Sequence, residues 1–437
     1  MPVIIIGTGW SGLAAAIELS RANIQVTLIE AARSAGGRAR RVETQDMVFD
    51  NGQHLMLGAY SELLRLLRVL GVSEGQALRR RPLCLEMRSP RDDMLRLAFP
   101  SLPAPWHALA GFVQAKGLTW RERYRALALC TQLFFSGFKL AQDVSVADWL
   151  RRTGQPERLI KALWEPLCLA VLNTPLHQAS ARVFIRVLRE AFAGKPSEAD
   201  MLFPRADLGA VFPEPALRFI REHGGAVRFS ERVASLDIRD GRVAGVTTQH
   251  ERIAADHVII ATPPSEALRL LQPHPWLQII SRQLAGLRHE PICTVYLQYP
   301  PEVRLGCEML GLLDGPGQFI FDLGDAGHPG RMAVVISGPG LHMTEDNAAL
   351  GGEVTRQVSG HFSAWPTPSH TFVIREKRAT FSCQVDIDTL RPATRTPVAG
   401  CWLAGDYTAT GLPATLEGAL RSGVSAARAV IATRLSG

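Results

Sequence analysis

The sequence predicts an α/β fold. A Rossmann-type, doubly wound parallel sheet is assembled from separated segments, and a mixed-sheet and helical domain is inserted between them. Two observations carry this. Near the start, an apolar β-branched run enters a glycine-spaced turn, a helical pattern follows, and a second apolar run ends on an acid. Near the far end, a short apolar strand stops at Gly405-Asp406 before a proline-marked turn and a final helix.

The first signal is Val3-Ile4-Ile5-Ile6-Gly7-Thr8-Gly9-Trp10-Ser11-Gly12. Leu13, Ala14, Ile17 and Leu19 continue it at helical spacing, and Val26-Thr27-Leu28-Ile29 ends on Glu30. Strand, G-x-G-x-x-G, helix, strand and acid together make a dinucleotide-binding unit. Gly7 makes the tight turn. Gly9 lets backbone approach a pyrophosphate, and Gly12 lets helix and strand pack closely. Phosphates sit against the helix N-terminus, where free N–H groups and the dipole favour anions, so Trp10 and Ser11 count among the contacts. Glu30, about 20 residues past the turn, suits a ribose hydroxyl.

Next comes Ala35-Gly36-Gly37-Arg38-Ala39-Arg40-Arg41. Gly37 and Arg38 fit a second approach to phosphate or flavin, because a guanidinium bonds phosphate bidentately. The polar string Asp50-Asn51-Gly52-Gln53-His54 follows, and Ser61 caps a helix that starts there. Leu83–Met87 and Met94–Phe99 read as a hairpin around the turn 89–93.

From about Pro103 to Phe192 the pattern is helical: Trp106, Leu109, Phe112 and Val113 recur, then Tyr124, Leu127, Leu129, Leu133 and Phe134. These stripes read as core, or, at Leu133-Phe134-Phe135-Ser136-Gly137-Phe138-Lys139, as a peripheral membrane surface. The chain then returns to α/β through 227–229, 231–238, 243–247 and 257–261. The expected division is 1–82, 203–264 and 391–437 for the nucleotide-binding domain. Segments 83–202 (largely helical) and 265–390 (mixed) form the substrate domain.

The second signal, Cys401 to Asp406 and then Gly411-Leu412-Pro413-Ala414-Thr415-Leu416, gives another cofactor contact. Asp406 suits the ribityl or phosphate side of a flavin, and the helix start can face its carbonyls. A nicotinamide enzyme needs no such second contact. A long cofactor held at both ends does, so the two signals imply FAD. No second strand-linked G-x-G-x-x-G supplies an NAD(P)H domain, so electrons come from, or go to, an external partner.

Bulk properties narrow the class. The 437 residues are 46% hydrophobic and 20% charged, with net charge +7. That is ordinary for a globular protein of more than one domain. Only Lys116, Lys139, Lys161, Lys195 and Lys377 among the 48 basic residues are lysine. The Arg excess reflects composition bias or attraction to anionic partners. No basic block interleaves with aromatics, which argues against nucleic acid. The first strand leaves no room for a leader, and no apolar run reaches roughly 18 residues. Seven scattered cysteines without C-x-x-C predict reduced thiols, no metal site and a cytoplasmic protein.

The strings GTGWSG, GGR, Glu231-Arg232-Val233, ATPP and GD…GLPATLEGALRSG resemble the FAD-dependent amine oxidase and phytoene desaturase superfamily. DNGQHLMLGAY, WEPLCLAVLNTP and GDYTATGLPATLEGALRSG resemble, more narrowly, the hydroxysqualene dehydroxylases, squalene-associated flavoenzymes of hopanoid biosynthesis. Tyr407 departs from the tryptophan expected there but keeps an aromatic ring. The resemblance implies cofactor contacts at Gly7, Gly9, Trp10, Ser11, Gly12, Glu30, Gly37 and Arg38. It adds Gln53, His54, Val233, Gly405, Asp406, Pro413, Thr415 and Leu416.

It also implies reductive dehydroxylation of a C30 isoprenoid alcohol to squalene. Hydride comes from flavin N5, an acid protonates the leaving hydroxyl, and an apolar tunnel excludes water. An external electron donor and a functional link to the enzymes that make hydroxysqualene follow. So does a place in the cytoplasm, at the inner face of the membrane. The first candidate acid is His54, with Asp50, Glu165 and Asp207 weaker. Each has a structural alternative. His54 positions flavin, Glu165 ends a helix before Pro166, Asp207 pairs with Arg205, and Asp50 caps a turn. The rival activities are an oxidative carotenoid-type desaturase and an amine oxidase. A non-catalytic, FAD-stabilised scaffold is the rival from another class.

Overall fold

The computed structural model describes residues 2–44, 47–90 and 94–435. Its organising layer is a five-stranded parallel sheet in the order Ala226–Arg228, Val26–Ile29, Val3–Ile6, His257–Ile260, Cys401–Leu403. Strands separated by nearly the whole chain lie side by side, as the two sequence signals require. Val3–Ile6 and His257–Ile260 are buried at every position. A parallel strand covered on both faces needs such an unbroken apolar run.

The two faces have different covers. Val3, Ile5, Leu28 and Ile259 pack with the helices Trp10–Arg21, Pro213–Glu222 and Leu416–Leu435. Ile4, Ile6, Val258 and Ile260 share a core with Val233, Leu236, Val243 and Val246. Those residues belong to an antiparallel sheet of Val233–Arg239, Arg242–Thr248 and Arg252–Ala254. The helix Pro264–Leu271 adds Ala267 and Leu270 to the same core.

A second, seven-stranded sheet holds His370–Phe381, His289–Gln298, Arg331–Ser337, Phe319–Asp322, Met309–Leu312, Cys84–Arg88 and Met94–Ala98 in that order. The hairpin read from 83–99 is present, with Cys84 opposite Ala98; residues 91–93 of its turn lie outside the described residues. The hairpin joins the later segment through the parallel pairing of Cys84–Arg88 with Met309–Leu312. Segments 83–202 and 265–390 therefore share one sheet. The helix Asn347–His361 covers one face through Leu350, Val354 and Val358.

The helical insert runs through Trp106–Gln114, Trp120–Phe135, Val146–Arg152, the stretch 157–172 and Ala181–Phe192. Thr119 and Glu122 form a capping box that starts the second helix. The sequence expectation of a helix end at Glu165-Pro166 is corrected. The helix passes through a π-turn, Ile160–Trp164, and continues as Glu165–Leu172. Pro166 has no N–H and would clash with the carbonyl four residues earlier, and the wider turn relieves both problems. The helix stops at Asn173, left-handed at φ 49°. Asn173 Nδ2 donates to the Pro291 carbonyl and Thr380 Oγ1, and its Oδ1 accepts from Gly338 N–H. Asn173 thereby ties the insert to the seven-stranded sheet.

Candidate active site

Each fingerprint glycine has a measurable task. Gly7 has φ +102°, and a Cβ there would lie 2.7 Å from the Ala261 carbonyl oxygen. A Cβ on Gly12 would lie 2.1 Å from Gly7 O, so only glycine lets helix and turn meet. At Gly9 a Cβ would meet no chain atom within 4 Å. That open space is where a ligand backbone can approach. Gly36 N–H donates to Thr8 O, and a Cβ on Gly37 would reach Gly9 Cα at 3.1 Å, so the two glycine loops abut.

Glu30 points back at the first loop. Its Oε2 accepts from Thr8 N–H and Oγ1, both at 2.8 Å, and its Oε1 accepts from Ala32 N–H. A carboxylate oriented this way keeps acceptor capacity for a ribose hydroxyl. Trp10 is committed elsewhere. Its indole N–H donates to Ala39 O, and its ring stacks on Phe212 with centroids 4.8 Å apart. Ser11 is buried, and its carbonyl leaves no room for a side chain at Gly423 of the last helix. Val233 starts its strand just past Glu231, whose N–H donates to Glu30 O. Its carbonyl accepts from Arg269.

The distant signals converge on Arg38. Its guanidinium bonds Asp406 at 2.7 Å and the Ala379 carbonyl at 2.6 Å. Gly405 must be glycine, since at φ +153° a Cβ would sit 2.4 Å from the Tyr407 ring. Thr415 Oγ1 accepts from Gly418 N–H, and the final helix starts at Leu416, one turn past buried Pro413.

These residues fit a long cofactor anchored at both ends. Among the described residues, the Tyr407 hydroxyl and Thr262 Oγ1 are buried without a hydrogen-bond partner, and Thr262 adjoins the Gly7 turn. Unpaired buried polar atoms at the C-terminal edge of a parallel sheet are what a bound group would satisfy.

His54, the first catalytic candidate, is half-buried, with Nδ1 3.0 Å from the Gly52 carbonyl. A carbonyl only accepts, so Nδ1 carries the proton and Nε2 is left as the acceptor. Burial, with Arg38 nearby, pushes its pKa down and keeps the ring neutral. Asp207 does not pair with Arg205. It forms a bidentate bond with Arg41 and accepts from Ala210 N–H. Burial opposes ionisation there, but the Arg41 contact holds the carboxyl below its usual range.

Asp50 caps the short helix Leu208–Val211 by accepting from Leu208 N–H. Burial raises its pKa to about 7. Asp50, Gln53, Asp207, Tyr296 and Arg331 line one polar cavity, partly open to the surface and rich in charged side chains. Glu165 stands apart, in the helix after Leu163 and Trp164. Those two side chains line a second cavity, partly open to the surface and walled by Leu85, Phe99, Phe112, Leu133 and Phe192. Its lining is hydrocarbon and aromatic, with Cys130 the most polar member. The structure thus brings Asp50 and Asp207 together and places Gln53 with them, while Glu165 lines neither cavity.

A flavin-containing amine oxidoreductase model matches residues 10–431. The chain belongs to that family. It is an FAD-dependent oxidoreductase. Among relatives, a hydroxysqualene dehydroxylase from Rhodopseudomonas palustris is 28% identical, with 98% of each chain covered. One from Sinorhizobium fredii is 29% identical, with 97% of each covered. An oxidoreductase from Methanosarcina mazei has the same fold, with TM-score 0.77 at 15% identity, covering 97% of this chain and 99% of that one.

Three residues that shape this flavoprotein's site escaped the sequence reading. Arg391, with a fully buried side chain, donates to the carbonyls of Asp406 and Thr408 and to Thr410 Oγ1. It thereby fixes the loop that follows Gly405. Asn51 donates to Arg38 O and to Glu376. Glu417 is buried and accepts from Glu62 N–H and Leu63 N–H. Only Asn51 had a local signal, its place in the polar string. Arg391 and Glu417 act on partners that sequence spacing does not reveal.

Proposed function

We propose that this oxidoreductase reductively dehydroxylates hydroxysqualene to squalene. The observation that carries this reading is the end-to-end likeness to the two dehydroxylases. The apolar cavity in the helical insert supports it, because a C30 hydrocarbon needs a lining without polar groups to strand. Reduced FAD, when bound, supplies a hydride to the allylic carbon. The chain's own part is to hold the cofactor through Gly9, Gly37 and Asp406, to exclude water around the hydrocarbon, and to supply a proton to the departing hydroxyl. Carbon gains the hydride, the hydroxyl takes the proton and leaves as water, and an external donor restores the two electrons.

For the proton, neutral His54 is poorly placed, because its Nε2 accepts. Ion-paired Asp207 has none to give near neutral pH. Asp50, raised by burial to about 7, is the carboxyl of the three candidates in the polar cavity region that still holds a proton below that pH.

The test is anaerobic. The purified yellow protein is reduced with light, hydroxysqualene is added, and flavin absorbance is followed beside squalene formation. Reoxidation matched by squalene is expected. A flavin that stays reduced without squalene overturns the reading and points to oxidative desaturation, to be tried with oxidised enzyme and polyenes.

A further inference from the structure

We infer that the outer face of the helices Trp106–Gln114 and Trp120–Phe135 docks on an anionic lipid bilayer and opens the apolar cavity beneath it to that bilayer. The second helix is amphipathic with apolar groups on both sides. Its inner face buries Ala126, Leu129 and Leu133. Trp120, Tyr124 and Phe135 stand 80%, 67% and 83% exposed. Their spacing, with Thr131 between, places them on one stripe of a 3.6-residue helix, opposite the buried face. Trp106, 64% exposed, extends the patch onto the first helix. Large aromatic rings gathered outward on one face mark an interaction surface rather than scattered surface residues.

Charge decides what the surface meets. Lys116, Arg121, Arg125 and Lys139 are exposed and lie within a few residues of the aromatics in the chain, and the Arg123 guanidinium sits over the Trp120 ring. Glu122 is the acid in this stretch, and it is buried against Arg158. Lys116, Arg121 and Lys139 have no carboxylate partner among the described residues. Aromatic rings with cations around them match the headgroup and upper acyl zone of an anionic bilayer, where rings insert and cations meet phosphates.

The cavity lies directly behind. Pro105, Ala108 and Phe112 line it from the first helix, and Cys130 and Phe134 from the second. Phe134 is also 46% exposed, so one side chain belongs to both the outer patch and the inner wall. A hydrocarbon passing from bilayer to cavity there never crosses water. This entry route rests on the proposed substrate class; the docking does not.

The experiment uses the full-length, FAD-loaded protein with vesicles of phosphatidylcholine, alone or mixed with phosphatidylglycerol. Partitioning is read by sedimentation at low and high salt. One variant carries Trp120→Ser, Tyr124→Ser and Phe135→Ser; another carries Lys116→Glu, Arg121→Glu and Lys139→Glu. All six side chains are exposed, and flavin content and melting temperature check that both variants fold. The parent should bind phosphatidylglycerol vesicles, less at high salt. The aromatic variant should lose about tenfold in partitioning, and the charge variant should lose the preference for phosphatidylglycerol. Turnover of detergent-dispersed substrate should persist in the aromatic variant, while turnover of vesicle-embedded substrate falls. Docking is overturned if the parent stays in the supernatant, if the aromatic variant sediments like the parent, or if the patch instead drives self-association. Intact sedimentation without squalene formation would count against the proposed reaction and leave docking in place.

Discussion

At the scale of single residues, Gly9 and Gly12 separate two reasons for glycine that the sequence cannot distinguish. Gly12 is required by the chain itself, since a side chain would collide with Gly7 O. Gly9 has an ordinary φ of −65° and open space at its Cβ position, so the chain tolerates a side chain there, and we propose that the cofactor does not. Gly9→Asp should therefore fold, show unchanged helix content and purify without flavin colour. A yellow, fully loaded variant would remove the first loop from the cofactor site. Asp50 gives a pH prediction. Its folded pKa of about 7 lies above the ordinary 3.8. The unfolded chain thus binds fewer protons between those values, and stability falls as pH rises through that window. The bound on this penalty is about 4 kcal/mol, and contact with the polar cavity lowers it. Asp50→Asn keeps an acceptor for Leu208 N–H and has no charge to bury. Its melting temperature should fall less between pH 4 and pH 7 than the parent's; parallel profiles would contradict the assignment.

At the scale of elements, legibility followed locality. The first strand–turn–helix–strand was readable because every determinant lies within residues 3–30. The start of the helix Ser61–Val69 was misread for the opposite reason. Ser61 looks like a cap, yet it is the first helical residue, and no side chain of its own segment caps the helix. Glu417 does so from 355 residues away in sequence, accepting from Glu62 N–H. Removing that carboxylate orphans two N–H groups and leaves Arg421 with Glu190 as its remaining carboxylate partner. Glu417→Ala should cost about 2 kcal/mol, and Glu417→Gln, which keeps an acceptor, about half as much. Chemical denaturation of the three proteins checks the order. Equal losses would mean the cap is a bystander. Helical periodicity failed in a related way at Trp106 and Tyr124. The pattern marks an apolar stripe but not whether protein or something else covers it.

At the scale of the whole molecule, the crevice is made from pieces far apart in the chain, joined by one parallel sheet and one shared core. The first glycine loop, Arg38 and the 405–416 turn come from opposite ends of the sequence. The sequence revealed both ends and the acid on each. It could not show that Arg38 bridges them to Asp406, or that Arg391 pins the loop between. A ligand that binds only the assembled form stabilises it by mass action, about 2.7 kcal/mol at a hundredfold excess over its dissociation constant. Stripping FAD should therefore lower the melting temperature, and adding FAD back should restore it in proportion to the logarithm of its concentration. The Gly9→Asp protein supplies the control. If the stripped parent and this variant melt together, and only the parent responds to added FAD, the whole difference is linkage and the crevice is closed by its cofactor. If the stripped parent melts like the loaded one, the three segments hold their arrangement unaided, and the Arg38–Asp406 and Arg391 contacts suffice to assemble the site.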